Sequence, residues 1–200
     1  MARPARLSSD QILGAAERVF ARRGYGETSL RQLMAAARVS TTAFYARFDS
    51  KEAVLVALVD RLLGELHQAV GAAILQARSR GEGIERGADA VVATLAGHER
   101  LVALTLGEGL ASERVRRGVA RAYHSLADLL AGQLAGASHT GGVALGDPGS
   151  LAWAFVGAVH MQVARWAVFR EIDRDQLSSA MRQVAYTLLP AVSRRSSGGR

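Results

Sequence analysis

Nowhere along this 200-residue chain do apolar and polar residues alternate with the two-residue period of a half-buried strand. Apolar residues recur instead at intervals of three and four, which gathers side chains on one face of an α-helix. Ile12, Leu13, Ala16, Val19 and Phe20 set the pattern, and similar stripes follow to the last forty residues. Ala and Leu fill most apolar positions and only three prolines interrupt the chain, a composition that favours helices over strands. The predicted fold class is all-α, with about nine helices delimited by caps and breakers.

The breakers place the helices. Gly24 and Gly26, around Tyr25, end the first, because glycine accepts the left-handed conformation of a helix C-cap. Thr28 is the expected N-cap of a second helix with Leu30, Leu33 and Met34 inward. Arg31 stands at its third position, so the capping box is incomplete. After Ala37-Arg38-Val39, Ser40 caps a short third helix. Phe44 and Phe48 lie one turn apart on the side of Val39, which must be buried; Thr41, Thr42, Tyr45 and Arg47 then face outward. Asp49-Ser50-Lys51-Glu52 opens a long helix expected to run to about Ser79. Further helices are expected from Ile84 to about Gly97, near Leu101–Leu110, and from a cap at Ser112 through Val115, Val119, Ala122, Leu126 and Leu130. Residues 136–147 read as a glycine-rich loop. Asp147-Pro148 starts a helix that is apolar nearly all round, and Asp173 with Gln176 forms a capping box for the last, which Pro190 stops.

Charge divides the chain. The net of +7 is concentrated in residues 1–51, which carry nine basic and four acidic residues; residues 52–193 are close to neutral. Three arginines complete a tail, 194–200, whose composition predicts disorder. A basic N-terminal module on a neutral body suggests a localised contact with a polyanion. Without cysteine there is no disulfide framework, thiolate nucleophile or Cys-based zinc site. The N-terminus meets Asp10 and Glu17 before any apolar run, which argues against a signal peptide, and the long uncharged stretches are broken by polar residues. A soluble, cytoplasmic protein without membrane contact is expected.

No catalytic or metal-binding pattern stands out. GEGIERG at 81–87 misses the dinucleotide fingerprint and follows no strand; the five histidines lack metal-ligand spacing. No cofactor and no enzymatic activity are expected.

Two short helices joined by a tight turn on a basic surface are the helix-turn-helix arrangement, whose second helix enters the DNA major groove. Thr41 and Thr42 suit base edges and thymine methyls, Tyr45 offers a ring and a hydroxyl, and Arg47 a fork for phosphate. Helix starts at Thr28, Ser40 and Ser50 present backbone N–H groups to an anionic backbone. Lys51, the only lysine, sits at a helix start, where it opposes the helix dipole; a DNA phosphate would resolve that conflict.

The run Val39-Ser-Thr-Thr-Ala-Phe-Tyr-Ala-Arg-Phe-Asp-Ser-Lys-Glu-Ala53, preceded by Phe20, Gly24-Tyr25 and Thr28, resembles the DNA-binding domain of the tetracycline-repressor (TetR) family of bacterial regulators. The resemblance covers about residues 10–55. It implies a homodimer on a roughly palindromic double-stranded operator, usually a repressor released by a small ligand. Thr28, Thr41, Thr42, Tyr45, Arg47 and Lys51 fall where the family contacts DNA, and Phe44 and Phe48 where it packs its core. Arg38 replaces a common turn glycine, and Thr42 stands where glycine is often found.

The expected organisation is therefore a helix-turn-helix domain over 1–51 and a helical ligand-binding and dimerisation domain over 52–193. The all-round apolar helix and the last helix, residues 148–189, are the expected dimer interface. Candidate pocket residues are His67, His98, Tyr123, His124, Trp153, Phe155 and His160, and the many Ala, Val and Leu suggest an apolar effector. Two other readings compete. One is an all-α enzyme or lipid-binding protein with an incidental basic N-terminus; the other is a DNA-binding regulator controlled by a protein partner. Outward Thr41, Thr42, Tyr45 and Arg47 beside inward Phe44 and Phe48 have no use in the first of these.

Overall fold

The computed structural model describes residues 9–107, 110, 112–139 and 147–188. Its secondary structure among them is helical: α1 (Ser9–Arg23), α2 (Leu30–Ala37), α3 (Thr41–Tyr45), α4 (Lys51–Leu75), α5 (Arg80–Gly97), α6 (Glu99–Leu106), α7 (Glu113–His139), α8 (Pro148–Ala167) and α9 (Arg174–Leu188). The N-terminal three form a small unit. α1 packs on α2, and Phe44 of α3 is fully buried with Ile12, Leu33 and Leu55 among the largest enclosed side chains.

The rest closes into a ring: α4 packs on α5 and α7, α7 on α8, α8 on α9, and α9 returns to α5. α6 wedges between α1 and α8. One continuous apolar core runs from Ile12 and Phe20 through Leu55 and Leu58 to Trp166 and Leu177. α4 crosses from one group of helices to the other, its first three turns buried by Val54, Leu55, Leu58, Val59 and Leu62.

Several boundaries differ from expectation for local reasons. α4 stops at Leu75, and α5 begins at Arg80 because the Ser79 hydroxyl accepts from the Glu82 N–H while the Glu82 carboxylate accepts from the Arg78 N–H. That cap outweighs Gly81 and Gly83, which lie inside the first turn rather than in a loop. α6 covers Glu99–Leu106, shorter than expected, and α7 continues to His139, into the segment read as a loop. Residues 140–146 of that segment, and the 194–200 tail, lie outside the described residues. The caps at Asp147-Pro148 and at Asp173 with Gln176 form as expected. No described helix is long and apolar enough to cross a membrane.

Candidate nucleic-acid interface

Two aromatic rings set the orientation of α3. Phe44 and Phe48 are buried with centroids 6.1 Å apart, and they seat α3 and its following turn in the common apolar core. With that face committed, Ser40, Thr41, Thr42, Tyr45 and Arg47 are exposed. Tyr45 stands edge-on to Phe44 with half of its surface accessible. The Ser40 hydroxyl accepts from the Ala43 N–H, so its side chain already serves as the cap of α3.

The turn before α3 is held by its backbone. Arg38 takes the left-handed conformation, φ 53° and ψ 44°, and its N–H donates to the Ala35 carbonyl while that of Val39 donates to Met34. This is a helix end of the kind glycine usually supplies, with a side chain bearing a cost of about 1 kcal/mol. Gln11 of α1 adds a donor from Nε2 to the Ala37 carbonyl at 3.1 Å. Nothing in the spacing of the sequence had marked Gln11.

Thr28 is placed differently from expectation. The N-cap of α2 is Ser29, and Gln32 completes a capping box one residue later than Thr28 and Arg31 would have formed it. Thr28 is buried; its hydroxyl donates to the Gly24 carbonyl at 2.7 Å and its N–H to that of Tyr25. It ties the end of α1 to the start of α2 and presents no side chain to DNA. Where Thr and Ser are adjacent, capping chemistry cannot choose between them; burial of the Thr methyl does.

Lys51 also has an internal task. Its Nζ donates to the Tyr25 carbonyl at 2.8 Å, lies 3.4 Å from that of Gly26, and sits 4.3 Å from the centre of the Tyr25 ring. The carbonyls after α1 thus supply the negative partner that a phosphate was expected to supply.

The unit is fastened to the body by charge. Glu17 of α1 receives Arg61 of α4 on one oxygen and His98, between α5 and α6, on the other, both at 2.5 Å. The second ring nitrogen of His98 is 2.9 Å from Glu65. Burial pulls the His98 pKa down, but the hydrogen bonds with Glu17 and Glu65 outweigh it and hold it above the ordinary value. Arg100 donates to the Ala21 carbonyl, and Arg114 of α7 reaches Asp49 after the reading helix.

The seven residues expected to line a pocket are not brought together. His67 is exposed on α4, and His98 belongs to the cluster with Glu17. His124 and Trp153 face each other edge-on across α7 and α8 at 4.9 Å, both exposed. Phe155 is half-buried on α8. Tyr123 and His160 form a partly buried pair, Oη to Nδ1 at 2.5 Å. Burial pushes the Tyr123 hydroxyl up to about 12 and the His160 imidazole down, so both are neutral near pH 7. In that state the two share one hydrogen bond, whose direction follows from which ring nitrogen of His160 carries the proton. Of the seven, only His98 lines either of two charged surface grooves. One, of about 490 Å³, lies between α5 and α9 beside Asp89, Arg174 and Arg182; the other, of about 770 Å³, lies beside Glu17, Arg18, His98 and Arg100.

Residues 12–58 match the family described as bacterial regulatory proteins, tetR family. Those residues are a TetR-family domain. No curated protein sequence matches the chain. Solved structures extend the likeness beyond the TetR-family domain to nearly the whole chain. A protein named as a TetR-family transcriptional regulator from Syntrophomonas wolfei is 18% identical, with a TM-score of 0.80 over 92% of this chain and 97% of its own. The fatty acid degradation regulator FadR from Bacillus halodurans is 20% identical, with a TM-score of 0.73 over 92% and 95%. AibR, solved in complex with isovaleryl coenzyme A and operator DNA, is 21% identical, with a TM-score of 0.60 over 87% and 95%. The chain therefore has the all-α fold of TetR-family transcriptional regulators, with a helix-turn-helix unit at its N-terminus.

Proposed function

We propose that this protein is a homodimeric transcriptional regulator that reads a roughly palindromic DNA operator through Thr41, Thr42, Tyr45 and Arg47, acts as a repressor, and is released by a small effector. The observation that carries the reading is the division of α3 and its turn. Phe44 and Phe48 are enclosed, while the four reading side chains are exposed on a basic unit. Hydroxyls and a guanidinium held outward on a helix too short to fold alone serve recognition rather than packing. Ser40 and Lys51 act mainly by holding the unit together, through the α3 cap and the Tyr25 carbonyl. The helix-turn-helix domain is placed at 1–51 and the sensing and pairing domain at 52–193, in the cytoplasm with the DNA.

Pairing through residues 148–189 rests on α8, where Trp153, Ala154, Gly157 and Met161 form an exposed stripe at helical spacing. Two copies joined there would address two half-sites one or more DNA turns apart. Effector release rests on the family and on AibR, solved with an acyl-coenzyme A and operator DNA. Tyr123 and His160 are the polar anchor that the body offers such a ligand among its apolar helices.

Selection of bound duplexes from random DNA should yield a half-site repeat. On that operator Thr42→Ala should change sequence preference. Arg47→Ala should weaken binding to all duplexes alike and reduce the salt slope by about one unit. If both variants bind as wild type does, the assigned surface is wrong.

A further inference from the structure

Asp49 is a poor residue for its position. It follows Arg47 by two residues, within about 7 Å of chain, and immediately precedes Ser50, whose hydroxyl caps α4. Its side chain is 68% exposed. On the surface assigned to DNA, a bare carboxylate there would repel any phosphate within a screening length of about 10 Å. Lys51, the adjacent cation in sequence, does not neutralise it, because its Nζ is turned to Tyr25 and Gly26.

The cation that meets Asp49 comes from the body. Arg114, in the first turn of α7, donates from Nη1 to Asp49 Oδ1 at 2.8 Å, and the same nitrogen is 3.4 Å from Ser50 Oγ. Ser50 in turn donates to Asp49 at 3.0 Å. The guanidinium and this hydroxyl keep the Asp49 carboxyl below its ordinary pKa, so it is ionised and needs a counter-charge. Packing fixes where Arg114 stands: α7 lies against α4, and a Cβ on Gly118 would be only 3.4 Å from Val56. Neighbouring charges on α7 are otherwise engaged, Arg117 with Glu113 and Arg116 with the Leu110 carbonyl. An exposed ion pair of this kind contributes little to folding. Its consequence is electrostatic, at the edge of the reading surface.

We propose that Arg114 is a positioning residue for DNA binding: it cancels the Asp49 carboxylate and holds it against Ser50, so that a phosphate can approach the start of α4. This rests on the DNA-reading surface proposed above. It makes that surface complete only while α7 is docked on α4, so movement of α7 in the body uncovers a negative charge beside the operator.

A double-mutant cycle on the selected operator tests it, using full-length protein whose thermal midpoints confirm folding. Arg114→Ala should weaken binding about three- to tenfold at low salt, with the loss shrinking as salt rises. Arg114→Lys should restore most of it, and Asp49→Asn alone should bind at least as well as wild type. In the Asp49→Asn background, Arg114→Ala should then change affinity by less than about twofold. An equal loss in both backgrounds would mean that Arg114 touches phosphate itself, and the proposal is overturned. So is it if Arg114→Ala binds like wild type while Arg47→Ala does not. If neither variant loses affinity, the reading surface itself is misassigned.

Discussion

Single residues in the N-terminal unit show how a partner suggested by local chemistry can be replaced by one from elsewhere in the fold. Lys51 stands at a helix start, where its charge opposes the dipole and the local sequence offers no partner but an external phosphate. The conflict is resolved inside the molecule by the carbonyls of Tyr25 and Gly26, which lie twenty-six and twenty-five residues earlier. Lys51→Ala should therefore cost about 1–2 kcal/mol of stability without any DNA present. That corresponds to a fall of a few degrees in the thermal midpoint of the free protein. A lysine used for phosphate alone would leave that midpoint unchanged. Thr28 and Ser29 teach a related lesson. Both can cap a helix, and only the core beneath decides which one turns inward.

At the scale of elements, the helices were legible wherever a cap coincided with a periodic stripe. Ser40, Ser50, Asp147 and Asp173 open α3, α4, α8 and α9 as their chemistry requires. The start of α5 is not legible from local pattern, because two glycines suggest a turn while Ser79 and Glu82 close a cap around them. What no local pattern could supply is the joint between elements. His98 meets Glu17 and Glu65, which lie eighty-one and thirty-three residues away in sequence. A histidine whose folded pKa lies above its unfolded value adds stability that is complete below about pH 6.5 and is lost as pH rises through the folded pKa. The thermal midpoint should therefore carry a component that falls between about pH 6 and pH 8. His160, with its pKa lowered by burial, acts in the opposite sense. The difference between wild type and His98→Gln isolates the joint: the advantage of wild type should be largest at pH 6 and shrink toward pH 8. An advantage independent of pH would show that His98 contributes by packing alone.

The whole molecule poses the question of what covers α8. Trp153 is 43% and Met161 50% exposed, and the space beside Gly157 is open. Apolar side chains on one continuous stripe of a central helix fit the pairing of two copies. Gly157→Arg has room in a single chain but not in a close helix pair, so it should leave the fold intact and weaken self-association about 30-fold or more. Sedimentation of this variant at micromolar concentration should give a monomer. If it sediments as wild type does, α8 is not the interface.

By itself the sequence determined the periodic faces of the helices, the caps at Ser40, Ser50, Asp147 and Asp173, the inward Phe44 and Phe48, and the outward Thr41, Thr42, Tyr45 and Arg47. These follow from interactions within a few residues, where helix geometry converts spacing directly into position. Only the tertiary structure decided that Thr28 is buried, that Lys51 is tied to Tyr25, that the seven proposed pocket residues disperse, and that Arg114 answers Asp49. Each of those depends on a partner distant in the chain, and the side chains that meet are chosen by the packing of whole helices around a common core.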